Sequence, residues 1–284
     1  MCLAIIGMVG ATSCGDVNAA LQRLVEARQL SADLIVQFTK AADASNRAVM
    51  ADSDDVSAAS AREAEQAKQS VQRDVDTLGP ILQGLRYGDE TKLLQEFVSR
   101  FGEYKALDLR ILGLAVENTN LKARQMSLGP AYDAVETFRT ALEAVAAAAP
   151  AAQAWHARAL VATAVAEVRE IEVLQQPHIA EADDAVMTRL QARMALSETA
   201  ARNAVKSLAG LMPAASTPRV AAATAALDQF MDLNAQIVVL SRRNTNVRSL
   251  ALSLDEKRKL IAPCEENLHA LQAALATHHY PAGR

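Results

Sequence analysis

The chain has 284 residues, of which 51% are apolar, 22% charged and only 4% aromatic. This apolar content excludes an intrinsically disordered chain and suffices for one large or two ordinary domains. The net charge is −4, with 29 basic residues spread among 33 acidic ones, so we expect no nucleic-acid partner. Glycine (11 residues) and proline (8 residues) are scarce while alanine is abundant, which favours a chain that is nearly all helix.

The amino terminus is an uncharged apolar segment, residues 2–11, that runs into Ala11-Thr12-Ser13-Cys14. It is shorter than the about 20 residues that a membrane-spanning helix needs, but it has the length of the apolar region of a signal peptide. It resembles a bacterial lipobox, in which cleavage leaves a lipidated cysteine, here Cys14, at the new amino terminus. Residues 1–13 are therefore predicted to be a lipoprotein signal peptide, which places the protein on the periplasmic side of the cell envelope, lipid-anchored to a membrane. The alternative is an apolar turn that packs on the helices.

Breaks rich in Asp, Ser, Gly and Pro divide the rest of the chain into eight predicted helices. Apolar residues recur along them at spacings of three, four and seven, which is typical of a helix that buries one face. No alternating pattern typical of strands is present. The predicted helices run over 16–50, 55–86, 90–128 and 130–148 in the first half of the chain, and over 151–180, 184–211, 217–253 and 256–278 in the second.

The two halves of the chain repeat each other with an offset of roughly 126 residues. Asn118-Thr119-Asn120 recurs as Asn244-Thr245-Asn246, and a Ser-Leu pair follows each copy. Short connections make neighbouring helices antiparallel. The sequence therefore predicts an all-α fold of two tandem up-and-down four-helix bundles, residues 14–149 and 150–284, with the seam in the Ala-rich stretch 146–152.

No constellation of residues in the sequence supports catalysis, and we predict that the protein is not an enzyme. The sequence lacks a Walker loop, a dinucleotide glycine fingerprint, a nucleophile elbow and a Cys-x-x-Cys pair. A di-iron bundle needs two Glu-x-x-His pairs, and only Glu266 with His269 fits. Met187 and Met194 are interpreted as core residues, and Cys264 as a small buried apolar residue. We expect no metal and no cofactor, and a metal- or haem-binding bundle is the least favoured alternative.

Six residues are candidates for polar recognition of a ligand. In a continuous helix Asn118 and Asn120 point in nearly opposite directions, so one of the two is expected to be partly buried. A buried amide either fixes the register of the bundle or bonds a polar ligand together with a nearby arginine, whose planar guanidinium suits a small carboxylate. The candidates are Arg28, Arg73, Asn118, Arg124, Asn244 and Arg248.

Together, the long Ala-rich helices, the acidic turn at residues 51–55 and the Asn-Thr-Asn segments with their Ser-Leu pairs resemble the extracytoplasmic four-helix sensor domains of bacterial chemoreceptors. The tandem arrangement is similar to bimodular helical sensor domains and to nitrate-sensing domains. The resemblance implies a non-enzymatic domain that binds small organic ions between its helices. Because the sequence shows no membrane-spanning helix and no signalling coiled coil, we expect the protein to pass its state to another protein.

The resulting hypothesis is an exported, lipid-anchored binding or sensor protein that recognises a small organic ion or a membrane protein partner. Its mechanism is a shift between two helix packings, biased by the ligand. The alternative is a structural envelope lipoprotein whose helical faces contact only other proteins. An exposed apolar stripe favours this alternative, whereas a cleft with convergent polar groups favours the first hypothesis.

Overall fold

The computed structural model describes residues 13–278, and the side chains of residues 18–278. The described residues form ten α-helices and no strand, which confirms the predicted all-α class. The predicted signal segment up to residue 12 and the side chain of Cys14 lie outside the described residues. The helices are α1 (Ser13–Val49), α2 (Asp54–Leu85), α3 (Gly88–Glu117), α4 (Thr119–Met126), α5 (Tyr132–Ala147), α6 (Ala154–Ala180), α7 (Asp184–Leu211), α8 (Thr217–Arg243), α9 (Thr245–Leu252) and α10 (Arg258–Thr277).

Acidic and hydroxyl side chains begin the second helix of each half, as the sequence predicts. The Ser53 hydroxyl accepts from the Val56 N–H (3.3 Å) at the start of α2. The Asp183 carboxylate accepts from the N–H groups of Ala185 (2.6 Å) and Val186 (3.1 Å) at the start of α7. Such caps satisfy amide groups that have no partner inside the helix, and each stabilises its helix by about 1 kcal/mol.

Two compact units make up the chain. Among the described residues, unit 1 comprises 13–116 and 251–278, and unit 2 comprises Glu117–Leu250. The core of unit 1 is built by α1, α2, α3 and α10, and it contains ring contacts between Phe38 and Phe97 (centroids 5.9 Å apart) and between Phe38 and Tyr104 (5.2 Å). These edge-to-face contacts add to the apolar burial that holds unit 1 together.

Unit 2 has a core from α5, α6, α7 and α8, with α4 at one end. Phe138 of α5 and Phe230 of α8 are fully buried in it, and the remaining core is aliphatic. The described part of the chain contains no helix that is both long and apolar enough to cross a membrane.

This division differs from the predicted bundles 14–149 and 150–284, and the difference arises at Gly129-Pro130. The sequence-based interpretation treated these residues as a turn. Instead, Ser127–Ala131 is a π-helical stretch that joins α4 to α5 without a break. The wider turns of a π-helix accommodate a proline that would clash with the preceding turn of an α-helix. A second π-helical stretch, Ser253–Lys257, joins α9 to α10 where a break was expected near Asp255.

Because the chain does not turn back at Pro130, α5 packs with the helices of the second half of the sequence. In unit 2, α5 contacts α6 and α8. Its counterpart in the repeat, α10, packs against α1 in unit 1. Each unit therefore combines the first three helices of one sequence half with the last helix of the other half, and the predicted seam at 146–152 lies inside unit 2.

Candidate functional site

The first asparagine of each Asn-Thr-Asn segment interrupts a helix with a left-handed backbone. Asn118 lies between α3 and α4 with φ 50° and ψ 39°, and Asn244 lies between α8 and α9 with φ 53° and ψ 38°. Asparagine adopts this conformation more readily than other residues with a side chain, apart from aspartate. The backbone therefore explains the choice of asparagine at the first position of both copies.

The two segments cap each other's helices within unit 2. Each left-handed asparagine leaves N–H groups without an intrahelical acceptor at the start of the next helix. The Thr119 N–H donates to Thr245 Oγ1 (3.2 Å), and the Thr245 N–H donates to Thr119 Oγ1 (3.1 Å). One residue further, the N–H groups of Asn120 and Asn246 each donate to the other's Oδ1, both at 3.1 Å.

The side-chain amides of the same segments form a second set of hydrogen bonds. Asn120 Nδ2 donates to Asn244 Oδ1 (2.7 Å) and to the Ile179 carbonyl (2.6 Å), and Asn246 Nδ2 donates to Asn118 Oδ1 (2.9 Å). Asn118 and Asn120 are both buried, although only one of them was expected to be even partly buried. The expectation assumed a continuous helix, and the left-handed residue breaks that periodicity. Both asparagines of the pair therefore organise the fold of unit 2.

The four candidate arginines divide between the two units. In unit 1, Arg28 Nε donates to the Leu275 carbonyl (3.0 Å) and its Nη2 donates to the His278 carbonyl (2.7 Å), so this side chain caps the carboxyl end of α10. Arg73 is exposed on α2. In unit 2, Arg124 and Arg248 are exposed as well. Ligand binding by these arginines stays a prediction.

A cavity of about 430 Å³ lies between α7 and α8 of unit 2. None of its lining residues was among the sequence candidates for polar recognition. Its polar lining residues are Gln191, Glu198, Arg202, Asp232 and Asn234, and its apolar ones are Met194, Ala195, Met231, Ala235 and Val238. Because the lining comes from two helices, spacing along one helix could not reveal the cavity.

A buried carboxamide forms the inner wall of this cavity. Asn234 is only 6% exposed, and its Oδ1 accepts from Gln175 Nε2 (3.0 Å). Its Nδ2 lies 4.0 Å from the sulfur of Met194, and a thioether is a weak acceptor. The Asn234 amide therefore keeps the capacity to donate to an oxygen atom of a ligand.

Carboxylates outnumber cationic groups around the cavity. Arg202 donates to Asp228 Oδ1 (2.7 Å) and to Glu198 Oε1 (2.8 Å), and these hydrogen bonds raise the pKa of its guanidinium. Asp232 adds a further carboxylate to the lining. The lining itself therefore holds two carboxylates, Glu198 and Asp232, and one guanidinium, Arg202, and this balance favours a cationic group in the cavity.

Unit 1 contains a buried cluster of charged and polar groups that the sequence interpretation missed. Asp108 Oδ2 accepts from Lys68 Nζ (2.9 Å), and Asp108 Oδ1 accepts from the Ser45 hydroxyl. Lys257 Nζ donates to Ser45 Oγ (2.8 Å) and lies 3.8 Å from Asp108 Oδ1. Burial lowers the pKa of Lys257. Asp108 lies on the buried face of α3, four residues after the buried Tyr104. This spacing could have indicated from the sequence that the Asp108 carboxylate is buried.

Several smaller predictions can be checked against the described residues. Cys264 is fully buried, as predicted, and burial raises the pKa of its thiol to about 12. Met187 and Met194 are buried, which confirms their assignment to the core. Among residues 13–278, no group of three or more His, Cys, Asp or Glu side chains is placed to hold a metal ion, and the expectation of no metal stays a prediction.

A comparison with known protein families identifies the family of this chain. Residues 1–150, more than half of the chain, match a family model described as a four helix bundle sensory module for signal transduction. No curated protein and no solved structure gave a significant match. Such modules are typically non-catalytic, and in chemoreceptors they are extracytoplasmic. The chain belongs to the family of four-helix-bundle sensory modules for signal transduction.

Proposed function

We propose that the chain is a ligand-binding sensory module that takes a small organic cation in the cavity between α7 and α8 of unit 2. The observation that carries the proposal is a buried amide donor, Asn234, facing a cavity whose lining carries two carboxylates and one guanidinium. An ammonium group fits the carboxylates, and a hydroxyl or carbonyl oxygen of the same ligand fits the Asn234 amide. The lining contains a single arginine, Arg202, so it offers no set of arginines that could hold a ligand carboxylate between them.

The size and the apolar lining of the cavity support a ligand of small-molecule dimensions. Its volume of about 430 Å³ lies in the range of about 300–1,000 Å³ that small-molecule pockets occupy. Met194 and Met231 provide flexible, polarisable walls that adapt to the apolar body of a ligand. The ligand would contact α7 and α8 at once.

The hydrogen bonds behind the cavity offer a route from ligand binding to helix packing. Asn234 of α8 accepts from Gln175 of α6, and the Gln175 Oε1 accepts from the Ser127 hydroxyl (2.7 Å) in the π-helical stretch between α4 and α5. A ligand that engages Asn234 therefore acts on three helical segments of unit 2. A sensory state arises when the ligand binds one packing of these segments more tightly than another.

A ligand screen with matched variants tests the proposal. Organic ammonium compounds, carboxylates, zwitterions and nitrate are each added to the purified chain, and thermal unfolding is recorded. A ligand at about 100 times its dissociation constant stabilises the native state by roughly 2.7 kcal/mol. We expect ammonium compounds to stabilise the wild type, and Asn234→Ala to weaken their binding by about two- to tenfold through the lost hydrogen bond.

Asp232→Asn should weaken the binding of the ammonium compounds. Asp133 is exposed on α5 and does not line the cavity, so the control variant Asp133→Asn should leave their affinity unchanged. Stabilisation by carboxylates alone, or equal effects of the two aspartate substitutions, contradicts a cation site. If no compound shifts the unfolding temperature, the protein-contact alternative gains support.

We also propose that the chain is exported and anchored by lipid at Cys14, so that it passes its state to a membrane protein partner on the periplasmic side of the envelope. The apolar residues 2–11, followed by Ala11-Thr12-Ser13-Cys14, support this proposal. Metabolic labelling with a fatty acid in a bacterial host tests it. Cys14→Ser should abolish the label and the membrane association, whereas Cys2→Ser should retain both. Label that survives Cys14→Ser excludes this anchor.

A further inference from the structure

A buried histidine lies behind the α7–α8 cavity and has no role in the proposed function. His178 of α6 is fully buried, and its Nε2 lies 2.8 Å from Nε2 of Gln191, a residue that lines the cavity. Gln191 Oε1 in turn accepts from Arg242 Nη2 (2.9 Å). The three side chains are linked by hydrogen bonds, and the middle one, Gln191, belongs to the cavity lining.

Hydrogen bonds around the ring determine which nitrogen carries the proton. The Ser241 hydroxyl donates to the His178 carbonyl (2.8 Å), so its oxygen can only accept from the ring nitrogen Nδ1, 2.7 Å away. Nδ1 is therefore protonated, and in a neutral ring Nε2 is an acceptor. It accepts from Gln191 Nε2, which leaves Gln191 Oε1 to accept from Arg242. While His178 is neutral, each donor in this series of hydrogen bonds has an acceptor.

The charged groups around His178 also favour the neutral ring. Burial, and then the positive charge of Arg242 on α8, lower the pKa of His178. At the start of α7, Asp184 lies 3.3 Å from Arg242. Glu181, in the turn after α6, accepts with Oε1 from the N–H groups of Ala182 and Asp183 (2.8 and 2.9 Å). On the α4 side, the neutral Asn120 amide contacts the Ile179 carbonyl.

A second proton on the ring makes this arrangement untenable. The new Nε2–H would point at another donor, Gln191 Nε2. Only a reversed Gln191 amide offers the ring an acceptor, and the reversed amide then turns its NH₂ group toward Arg242 Nη2. Two donors cannot pair, so Arg242 must move away from Gln191. The change reaches the cavity because Gln191 forms part of its lining.

We propose that His178 makes the α7–α8 cavity sensitive to protons: one proton taken up at Nε2 reverses the Gln191 amide, breaks the hydrogen bond between Arg242 and Gln191 and alters the groups that the cavity wall presents. The proton step needs no ligand, and only its effect on binding rests on the proposed function. Because the added charge is positive, cation binding weakens as the pH falls. The transition lies below about pH 6.5, the ordinary pKa of histidine.

Methyl NMR of the full chain tests the proton step without any ligand. The chain is labelled at the methionine methyl groups, and the signals of Met194 and Met231 in the cavity lining are followed as the pH is lowered. The range, from about pH 8 to about pH 4.5, spans the ordinary pKa of histidine. We expect both signals to shift with one midpoint, equal to the midpoint of the His178 ring signals. Met50, an exposed methionine of unit 1, should not share this midpoint.

Three variants identify the groups responsible. His178→Gln keeps a neutral acceptor and should abolish the common midpoint at Met194 and Met231. Gln191→Met leaves His178 able to titrate but removes the amide, and should reduce the methyl shifts to the level of Met50. His156→Gln, an exposed substitution on α6, should change nothing. Methyl signals that titrate unchanged in Gln191→Met, or a neutral ring protonated at Nε2, would overturn the proposal.

Binding is then measured with protonated ethanolamine, a probe that carries an ammonium group and a hydroxyl. We expect its dissociation constant in the wild type to be about twofold higher at the midpoint of the His178 ring signals than at about pH 7.5, and to keep rising below that midpoint, whereas His178→Gln should show no rise there. Equal affinity of the wild type for ethanolamine at about pH 7.5 and at the His178 midpoint refutes the coupling. If ethanolamine does not bind while the methyl groups still titrate, the cation site fails but the proton step stands.

Discussion

The reciprocal caps at Thr119 and Thr245 allow a quantitative test of how unit 2 is held together. Both residues are 2% exposed, and each hydroxyl accepts the other residue's backbone N–H. Thr119→Val preserves the shape and the β-branch but removes the acceptor of the Thr245 N–H. A buried N–H without an acceptor costs about 1–3 kcal/mol, so we expect this loss in the free energy of unfolding. Thr245→Val should cost a similar amount, because each hydroxyl accepts one backbone N–H and both residues have the same exposure.

The double variant adds a prediction that the single variants cannot make. The two hydroxyls also share one hydrogen bond, Oγ1 to Oγ1 at 3.1 Å, which either substitution removes. The cost of the double substitution should therefore fall short of the sum of the single costs by about 0.5–1.5 kcal/mol, the contribution of one hydrogen bond.

Urea denaturation and amide hydrogen exchange measure these effects. The free energy of unfolding comes from the linear dependence on urea, and exchange of the Thr245 N–H should accelerate in Thr119→Val. Thr137→Val is the control, because this exposed hydroxyl bonds only to a carbonyl of its own helix (2.8 Å), and it should stay within about 0.5 kcal/mol of the wild type. Single costs within that margin, or a fully additive double variant, refute the reciprocal capping.

Three further substitutions test the buried groups of both units. Asp108→Asn should destabilise unit 1 by about 3–5 kcal/mol in urea denaturation, since it removes the carboxylate that Lys68 and Lys257 share, and a loss below about 1 kcal/mol contradicts this role. The folded-state pKa of Lys257 is lowered, so the cost of burying its charge is complete below that pKa and is relieved as the pH rises toward the unfolded pKa of about 10.4. The free energy of unfolding, measured by urea denaturation at several pH values, should therefore rise over this window in the wild type and not in Lys257→Met. Asn118→Gly should be more stable than Asn118→Ala by about 1–2 kcal/mol in the same assay, because only glycine adopts the left-handed backbone without strain, and equal stabilities would contradict that explanation.

Positions and inward faces of most helices followed from the sequence. Caps such as Ser53 and Asp183 act within one turn of the chain, and an apolar spacing of three and four residues marks a buried face whatever the partner is. For the same reason the burial of Cys264 and Met194 could be predicted from their register. The repeated Asn-Thr-Asn segments also indicated a polar layer in the bundle, but not the hydrogen bonds that the segments make.

The tertiary structure decided which helices pack together and where polar groups converge. Whether Gly129-Pro130 turns the chain or continues as a π-helix depends on packing partners far away in the sequence, and that choice placed α5 in unit 2. The left-handed Asn118 is supported by caps from a segment 126 residues further along. The cavity of unit 2 and the Asp108 cluster of unit 1 likewise join side chains from separate helices. Local spacing determines which side of a helix faces inward, but the free energy that selects its partner comes from contacts between distant residues, which one sequence does not specify.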